Sequence, residues 1–327
     1  MQMGQTASNI LIAGDFCAHG LWEKLSHGAR AALAPLRDIL SDAELRIINL
    51  ENAVIENAGA RAIAKRGPAL YALPENLAFL EEGRFGCAVL ANNHVGDFGE
   101  EGVLSTMRAL DSRGIARVGA GANIEDSYQP AYFSLRAGTA AVIAVCENEF
   151  GTAKPGKAGT AGFALGRVID AIVCARKNAD FVIVVMHGGN EYNPLPSPRV
   201  VERYRSFVEF GAHAVVGMHP HRVQGYEIHK GAPILYSTGN FFFQDTGIED
   251  PGDPWYAGYL AKLALSKENG VGFELIPYRF DPACTRITPL AGRAKADMLA
   301  YLSRVSEPIR DPEALRRYFL GWLYLLN

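Results

Sequence analysis

The chain has 327 residues, 49% of them apolar, and its 32 basic and 35 acidic side chains give a formal net charge of -3. This balance lacks the basic excess that binding to a phosphate backbone requires, so nucleic acid is excluded as an expected partner. The N-terminus has no basic segment leading into an apolar one, and no apolar run reaches about 18 residues, so we expect a cytoplasmic protein.

Strands and helices are predicted to alternate over the first two thirds of the chain. The first apolar run leads into a helical pattern over residues 21–40, and Pro74 opens a short helix that Gly83 can end. The run CAVLAN, residues 87–92, is followed by a helical pattern that stops at Gly114. Such alternation predicts right-handed βαβ units and a parallel sheet.

The pattern changes after Gly119, where two hairpins are predicted. One turns at Ala137-Gly138 and the other at Lys230-Gly231. These hairpins indicate that the second part of the chain contains more antiparallel pairing than the first.

Three further segments, between residues 257 and 290, predict an antiparallel meander. We therefore expect an α/β fold of two stacked sheets, one more parallel and one more antiparallel, with helices outside. Residues 1–327 are expected to form a single domain. In it, residues 10–243 carry the core motifs and residues 257–327 supply second-sheet strands and C-terminal helices.

Six of the apolar runs share one property, since each leads directly into a residue type that binds metals. These residues are Asp15, Glu51, Asn93 with His94, His187, His219 with His221, and Asn240. Runs of Ile, Val, Leu and Ala fit strands buried on both faces of a mainly parallel sheet, and such sheets bind ligands beyond the carboxyl ends of their strands. The sequence therefore predicts that these side chains meet at one edge and form a metal site.

The segment GMHPH is the most specific local pattern. In an extended loop, residues two apart point to the same side, so His219 and His221 can face one metal cluster. Asp15 and Glu51 oppose the charge of the cations, and a carboxylate such as Glu51 can bridge two ions. Two metals about 3.5 to 4 Å apart can share a hydroxide that attacks the substrate. The leaving group then needs an acid, and His94 is placed for that role.

Six motifs occur in order along the chain. They are Gly14-Asp15; Asn49-Leu50-Glu51; Asn92-Asn93-His94 with Asp97-Phe98-Gly99; His187-Gly188-Gly189 with Glu191-Tyr192; Gly217 to His221; and Tyr236 to Phe241. Through these motifs the chain resembles the CapA family over residues 10–243. That family is associated with capsule and poly-gamma-glutamate synthesis and has a calcineurin-like metallophosphatase fold. The resemblance implies a four-layer α/β/β/α sandwich.

The resemblance also implies two divalent metal ions, with Mn, Zn or Fe as candidates. It implies that Asp15 and His221 bind one ion, that Glu51 takes the bridging place, and that Asn93, His187 and His219 bind the second. His94 matches the general acid of the family, and Asp97 is expected to orient it by accepting a hydrogen bond from its ring.

The chain departs from the broader phosphatase pattern at one position. An Asp-x-His motif near the first strand is here Asp15-Phe16-Cys17, which leaves the first metal one ligand short. Cys17 could supply a soft ligand, His19 could reach in, or the site could be weak or empty. We favour a weak or water-completed site, because Cys17 also fits a buried thiol.

Other polar residues near the motifs are given supporting roles. Glu191 is predicted to bind an amine or orient a ligand, and Asn92 and Asn240 are predicted to contact substrate or support the ligands. Glu147 and Glu149 follow a strand end and could contact the substrate, but we interpret them as solvated loop acids.

We expect a metal-dependent hydrolase of the CapA type, in which a metal-bound hydroxide attacks a phosphoester or a γ-glutamyl amide. The substrate would be a small molecule or polyglutamate. The alternative is a non-catalytic accessory or scaffold subunit of a polyglutamate or capsule synthesis and export complex, in which a polymer synthase is the partner. Bound metal and turnover discriminate between the two hypotheses.

Overall fold

The computed structural model describes residues 7–56, 60–245 and 247–325. The strands up to residue 121 are β1 (Ser8–Cys17), β2 (Leu45–Leu50), β3 (Ala53–Val54), β4 (Tyr71–Ala72), β5 (Cys87–Val89), β6 (Ala116–Val118) and β7 (Ala120–Gly121). The later strands are β8 (Ala131–Leu135), β9 (Gly138–Cys146), β10 (Gly159–Thr160), β11 (Phe181–His187), β12 (Ala214–Met218), β13 (Tyr226–His229), β14 (Ala232–Leu235), β15 (Asn240–Phe243), β16 (Ala257–Ser266), β17 (Gly270–Phe280) and β18 (Ile287–Pro289).

The helices lie mostly between the strands. The α-helices are α1 (Trp22–Leu33), α2 (Arg37–Ser41), α3 (Ala78–Glu82), α4 (Gly99–Asp111), α5 (Ile124–Ser127), α6 (Leu165–Asn178), α7 (Pro198–Glu209), α8 (Gly292–Arg310) and α9 (Pro312–Leu325), and short 3-10 helices cover Ala34–Leu36, Pro74–Leu77 and Pro254–Tyr256. Within the described ranges, no helix has both the length and the apolar character that crossing a membrane requires.

Two mixed sheets form the centre of the molecule. The first has the strand order β18-β17-β16-β1-β2-β5-β6, and β15 also pairs with β1. In it β1, β2, β5 and β6 run parallel, while β16, β17 and β18 form an antiparallel meander beyond β1. The second sheet, β13-β14-β12-β11-β9-β8, has a parallel centre and an antiparallel strand at each edge.

Three apolar clusters separate four layers of secondary structure. Alternate residues of a strand point to opposite faces of its sheet. In β1, Ile10 and Ile12 join the cluster between the sheets, whereas Leu11 joins the cluster with helices α1 to α4. In β11, Ile183 faces the same central cluster, and Val182 packs with helices α6, α7 and α9. This arrangement confirms the predicted α/β/β/α sandwich.

The position of the meander differs from the prediction. The sequence pattern places it among the strands of a second sheet, but β16 pairs with β1, with Ile10 opposite Leu263, and so extends the first sheet. In β16, Tyr259 faces the cluster between the sheets and Leu260 faces the outer helices, as on the neighbouring strand β1. The local pattern identifies a strand that is buried on both faces, but it does not encode which strand will be its neighbour.

The two predicted hairpins both form. The second turns at Lys230-Gly231, as predicted, and both residues have positive φ, 47° and 85°. The first turns one residue earlier than predicted, because Leu135 pairs with Gly138.

Candidate metal centre

The strand ends of both sheets meet at one edge of the sandwich. Asp15 lies in the last part of β1, and β2 runs parallel beside it, so that Glu51 follows directly. His187 ends β11 opposite Met218 of β12, after which His219 comes next. The predicted ligands Asp15, Glu51, Asn93, His187, His219 and His221 are all buried. The structure therefore brings together all six side chains, although they come from five separate segments of the chain.

Glu51 lies at the middle of this group. Its Oε1 is 3.5 Å from Nε2 of His187 and 3.7 Å from Nε2 of His221. Among the described residues this fully buried oxygen has no hydrogen-bond partner. Buried polar atoms are nearly always paired, so an unpaired carboxylate oxygen between two imidazoles fits a ligand that bridges two cations.

One half of the centre consists of Asp15, Glu51 and His221. One ligand atom of each lies within 4.8 Å of the others. Asp15 Oδ1 accepts a hydrogen bond from Asn49 Nδ2 at 2.8 Å, and Oδ2 accepts one from the His219 backbone N–H at 3.1 Å. Burial nevertheless dominates and raises the pKa of Asp15 to about 7. A nearby cation would favour the ionised carboxylate and offset this cost of burial.

Asn240 fixes the tautomer of His221. Asn240 Nδ2 donates to the Trp255 carbonyl at 3.1 Å, so its Oδ1 is the acceptor that faces His221 Nδ1 at 2.8 Å. His221 Nδ1 must therefore carry the proton, which leaves the lone pair on Nε2 directed at the Glu51 side. Burial lowers the pKa of His221 to about 3, so the ring is neutral at neutral pH and suited to bind a metal.

The other half consists of Glu51, Asn93, His187 and His219. His187 Nε2 is 3.1 Å from Asn93 Oδ1 and 3.1 Å from His219 Nδ1. Burial lowers the pKa of His187 well below its usual value and also lowers the pKa of His219. Two neutral imidazoles, an amide oxygen and a carboxylate oxygen around one point form a mixed nitrogen and oxygen donor set that suits Zn, Mn or Fe.

Neither Cys17 nor His19 joins a candidate ligand group among the described residues. Cys17 packs in the apolar cluster beneath the helices, and burial raises the pKa of its thiol well above the usual value. The ring of His19 accepts a hydrogen bond from the Tyr71 backbone N–H at 3.2 Å and lies edge-on to Trp22. The half centre at Asp15 therefore has three candidate side-chain ligands within the described ranges, Asp15, Glu51 and His221.

Asp97 lies between His94 and Lys65. Its Oδ2 is 2.8 Å from His94 Nδ1 and accepts a hydrogen bond from the Leu70 backbone N–H at 2.7 Å. Lys65 forms an ion pair with Asp97, and its side chain is only 3% exposed. The contact between His94 and Asp97 agrees with the expected orienting role. Lys65 was missed, because it lies in a polar loop without a recognisable motif.

Glu147 is half-buried and Glu149 is exposed, and beyond their interpretation as solvated loop acids both contact residues of the site. Glu149 Oε2 accepts a hydrogen bond from Asn93 Nδ2 at 3.0 Å, and its Oε1 is 3.9 Å from His219 Nε2. Glu147 accepts hydrogen bonds from buried Arg203 at 2.8 Å and from the Gly189 backbone at 3.2 Å. Both acids follow β9, which runs parallel beside β11 and so ends at the same edge. Their position after a predicted strand end was the signal that could have identified them.

The supporting residues lie around the centre. Asn92 Nδ2 donates to Asn49 Oδ1 at 3.0 Å, and its Oδ1 accepts from the His94 backbone N–H at 3.1 Å, so it shapes the loop that carries Asn93. Glu191 is exposed, and one of its oxygens lies within 4.8 Å of ligand atoms of His219 and His221.

The backbone of the GMHPH segment differs from the expected extended loop. His219 and His221 have φ of 97° and 54°, in the left-handed region that non-glycine residues seldom adopt. The turn is held by the bond from the His219 N–H to Asp15 and by the Tyr192 N–H, which donates to the Pro220 carbonyl at 2.8 Å. Both rings still face the same centre, with centroids 5.9 Å apart. Such strain is typical of functional sites.

Three curated relatives resemble this chain. It is 33% identical over 180 residues to "Capsule biosynthesis protein CapA" of Bacillus anthracis, covering 53% of this chain and 44% of that protein. It is 30% identical over 207 residues to "PGA biosynthesis protein CapA" of Bacillus subtilis, covering 62% and 53%. It is also 30% identical over 231 residues to "Probable polyglutamine synthesis accessory protein MT0602" of Mycobacterium tuberculosis, covering 66% and 60%. The chain thus spans about half the length of the curated relatives it matches.

Two solved structures share the architecture. A structure described as a novel phosphatase from Mycoplasma pneumoniae superposes with a TM-score of 0.53 at 12% identity, covering 85% of this chain and 95% of that one. A hypothetical protein from Thermus thermophilus superposes with a TM-score of 0.50 at 14% identity, covering 83% and 99%. At these identities the likeness establishes the metallophosphatase-like fold alone.

The family model described as "Bacterial capsule synthesis protein PGA_cap" matches residues 9–245. This match covers more than half of the chain and includes all six candidate ligands. The chain belongs to the family of bacterial capsule synthesis proteins of the PGA_cap type.

Proposed function

We propose that this protein is a metal-dependent hydrolase of capsule or poly-gamma-glutamate metabolism, with a dinuclear centre bridged by Glu51. The observation that carries the proposal is the buried Glu51 Oε1, which has no hydrogen-bond partner among the described residues and faces His187 and His221. The other oxygen, Oε2, accepts a hydrogen bond from Asn49 Nδ2 at 3.4 Å, but a buried carboxylate oxygen left unpaired is costly without a bound cation.

Two groups of side chains support the proposed ligand assignments. Asp15, Glu51 and His221 would hold one cation, and Glu51, Asn93, His187 and His219 would hold the other. When bound, two divalent cations would supply a nucleophile from water near neutral pH and polarise the bond under attack. Cys17 contributes no ligand to this scheme, so the cation at Asp15 would complete its shell with water.

His94 is proposed as the proton donor for the leaving group. It is next to the ligand Asn93 in sequence, and its Nδ1 is held by Asp97 at 2.8 Å, which leaves the other ring nitrogen for the substrate. Lys65 pairs with the same carboxylate and fixes its position from the other side.

The substrate class is proposed from two sources. The fold favours a phosphoester, and the printed names of the relatives favour a γ-glutamyl amide. Exposed Glu191, near His219 and His221, would bind an amino group of a peptide substrate.

The test is the metal content and activity of purified variants. His187→Ala and His219→Ala each remove a ligand from the half of the centre that contains Asn93, so both should lose bound metal and all turnover of phosphoesters and γ-glutamyl peptides. His229→Ala is the matched control, because this imidazole lies away from the centre and, within the described part of the chain, forms its ion pair with Glu209, at 3.2 Å. Elemental analysis without chelator gives the metal content. If the two variants kept the metal content of the parent, the assignment of His187 and His219 as metal ligands would be wrong.

A non-catalytic accessory role is the second candidate. It is favoured by the apolar surroundings of Cys17, which leave one half of the centre short of a side-chain ligand, and by the word "accessory" in the name of the mycobacterial relative. A screen of both substrate classes with added Mn, Zn or Fe distinguishes the candidates. No turnover under any condition, combined with stable co-purification with a polymer synthase, would establish the accessory role.

A further inference from the structure

A cleft lies near the start of β2 in the first sheet. The metal centre lies at the other end of that strand. The volume of the cleft is about 500 Å³, within the range of small-molecule sites. Its charged lining consists of Arg30, Arg37, Arg46, Arg84, Glu81 and Glu82. The lining thus contains four arginines and two glutamates, a formal charge of +2 from its charged side chains. The whole protein has a formal net charge of -3, so positive charge is concentrated at this cleft.

Most of this positive charge is not neutralised by the protein. Across the described residues, no ion pair or side-chain hydrogen bond is found for Arg30, Arg37 or Arg84, all of which are exposed. Glu81 is directed toward Arg113, outside the cleft lining, at 3.8 Å.

Arg46 forms the floor of the cleft and is held rigidly. Its guanidinium donates to the carbonyls of Leu40 at 2.8 Å, Ala43 at 2.9 Å and Arg84 at 2.6 Å. Burial, and secondarily repulsion from the nearby Arg84 guanidinium, lower the pKa of Arg46. An anion between them would replace this repulsion by attraction.

Arg84 occupies a backbone position that favours glycine. It follows helix α3 with φ of 50°, and its N–H donates to the Glu81 carbonyl at 2.9 Å, so it ends the helix in the left-handed conformation. Glycine adopts this conformation without strain, whereas a residue with a Cβ is strained in it. Arg84 thus carries its charge at this position against the local backbone preference.

The cleft is separate from the metal centre. Arg46 lies near the start of β2 and Glu51 follows the end of the same strand. Five residues of extended chain span about 16 Å, since a strand rises about 3.3 Å per residue. No candidate metal ligand among the described residues lines the cleft.

We propose that this cleft binds a multivalent anion that carries carboxylate or phosphate groups. Guanidinium groups match both anions because their planar donors form paired hydrogen bonds. The inference does not depend on the hydrolase proposal, because none of its residues belongs to the metal centre.

The experiment is titration calorimetry on the full chain, purified without chelator, at constant ionic strength. The probes are inorganic phosphate, the small tricarboxylate tricarballylate, and a γ-linked glutamate hexamer. Arg37→Gln and Arg84→Gly each remove one guanidinium, and Arg84→Gly should fold at least as stably as the parent because it relieves the left-handed strain. Arg293→Gln is the control: it removes the same charge from helix α8, where Arg293 is 94% exposed.

At least one probe should bind the parent protein. Arg37→Gln and Arg84→Gly should each bind that probe about tenfold more weakly, as expected for the loss of one charge-assisted contact. Arg293→Gln should change the affinity by no more than about twofold, the effect of a distant screened charge. Binding of the small probes would assign a small anion, and binding of the hexamer alone would assign an extended polymer. Equal losses in all three variants, or no binding of any probe, would overturn the proposal.

Discussion

At the scale of single residues, two buried glutamates show how partners decide the state of a carboxyl group. Glu227 accepts hydrogen bonds from Arg205 at 2.8 and 2.7 Å and from the Tyr236 hydroxyl at 2.6 Å. These partners outweigh burial and lower its pKa. Glu51 has no cationic side chain beside it among the described residues, so burial and the neighbouring Asp15 raise its pKa well above the usual value. A bound cation would offset this cost at Glu51, whereas Glu227 already has its positive partner in Arg205.

This contrast predicts opposite effects for the same substitution at the two sites. Glu51→Gln should lose bound metal, yet in the presence of a chelator it should raise the free energy of unfolding at pH 7 by about 1 to 3 kcal/mol. The reason is that glutamine need not take up a proton on folding, whereas Glu51 must. Chemical denaturation of chelated protein, together with elemental analysis, measures both effects.

Glu227→Gln is the matched control. It should keep its metal and lower the free energy of unfolding by about 1 to 3 kcal/mol, because Arg205 loses its charged partner. If both variants were destabilised equally in chelator, Glu51 would be an ordinary structural carboxylate.

At the scale of elements, the centre depends on the close approach of β1 to the segment before β15. The Asp15 N–H donates to the Gly239 carbonyl at 3.2 Å, and Asp15 lies opposite Asn240 in the register. A Cβ added to Gly14 would lie 1.8 Å from the Gly239 oxygen. This contact joins the strand that carries Asp15 to the residue that orients His221.

Gly14→Ala should therefore damage both stability and metal binding. The backbones must separate, which costs about 3 kcal/mol or more and shifts Asp15 from its partners. Gly28→Ala is the control, since a Cβ added there meets no described residue within 4 Å beyond its chain neighbours and the backbone of helix α1, in which it lies. That variant should gain about 0.5 to 1 kcal/mol. Thermal unfolding and metal content test both, and normal metal binding by Gly14→Ala would contradict the role given to this contact.

The strands and their ends could be predicted from the sequence because burial on two faces leaves a local apolar pattern. That pattern identified the edge where Asp15, Glu51 and His187 meet. The partner of β16 could not be predicted, because pairing depends on contacts far apart in the chain. Lys65 and the left-handed backbone at His219 and His221 were missed for the same reason, since each depends on neighbours that are distant in sequence.

At the scale of the whole molecule, the metal-free centre balances two sets of buried groups against each other. The pKa of Asp15 is about 7 in the folded state and 3.8 in the unfolded chain, so stability is lost as pH rises through this window. His221 has a pKa of about 3 when folded and 6.5 when unfolded, so stability is lost as pH falls below 6.5. Between pH 3.8 and 6.5 the two effects oppose each other.

Above pH 6.5 the carboxyl groups increasingly dominate, because the unfolded histidines, half protonated at pH 6.5, lose their remaining protons and their opposing effect fades. The chelated protein should therefore lose stability between pH 6.5 and about pH 8, by about 1 to 3 kcal/mol, given about 1.4 kcal/mol per proton and pH unit. Asp15→Asn should reduce this loss and leave only the part due to Glu51.

With Mn or Zn added the trend should reverse, because deprotonation frees the ligands and metal binding strengthens with pH. Urea denaturation at both pH values, with and without metal, measures the four cases. Stability of the chelated protein that does not change across this range would show that the carboxyl groups ionise freely and need no cation.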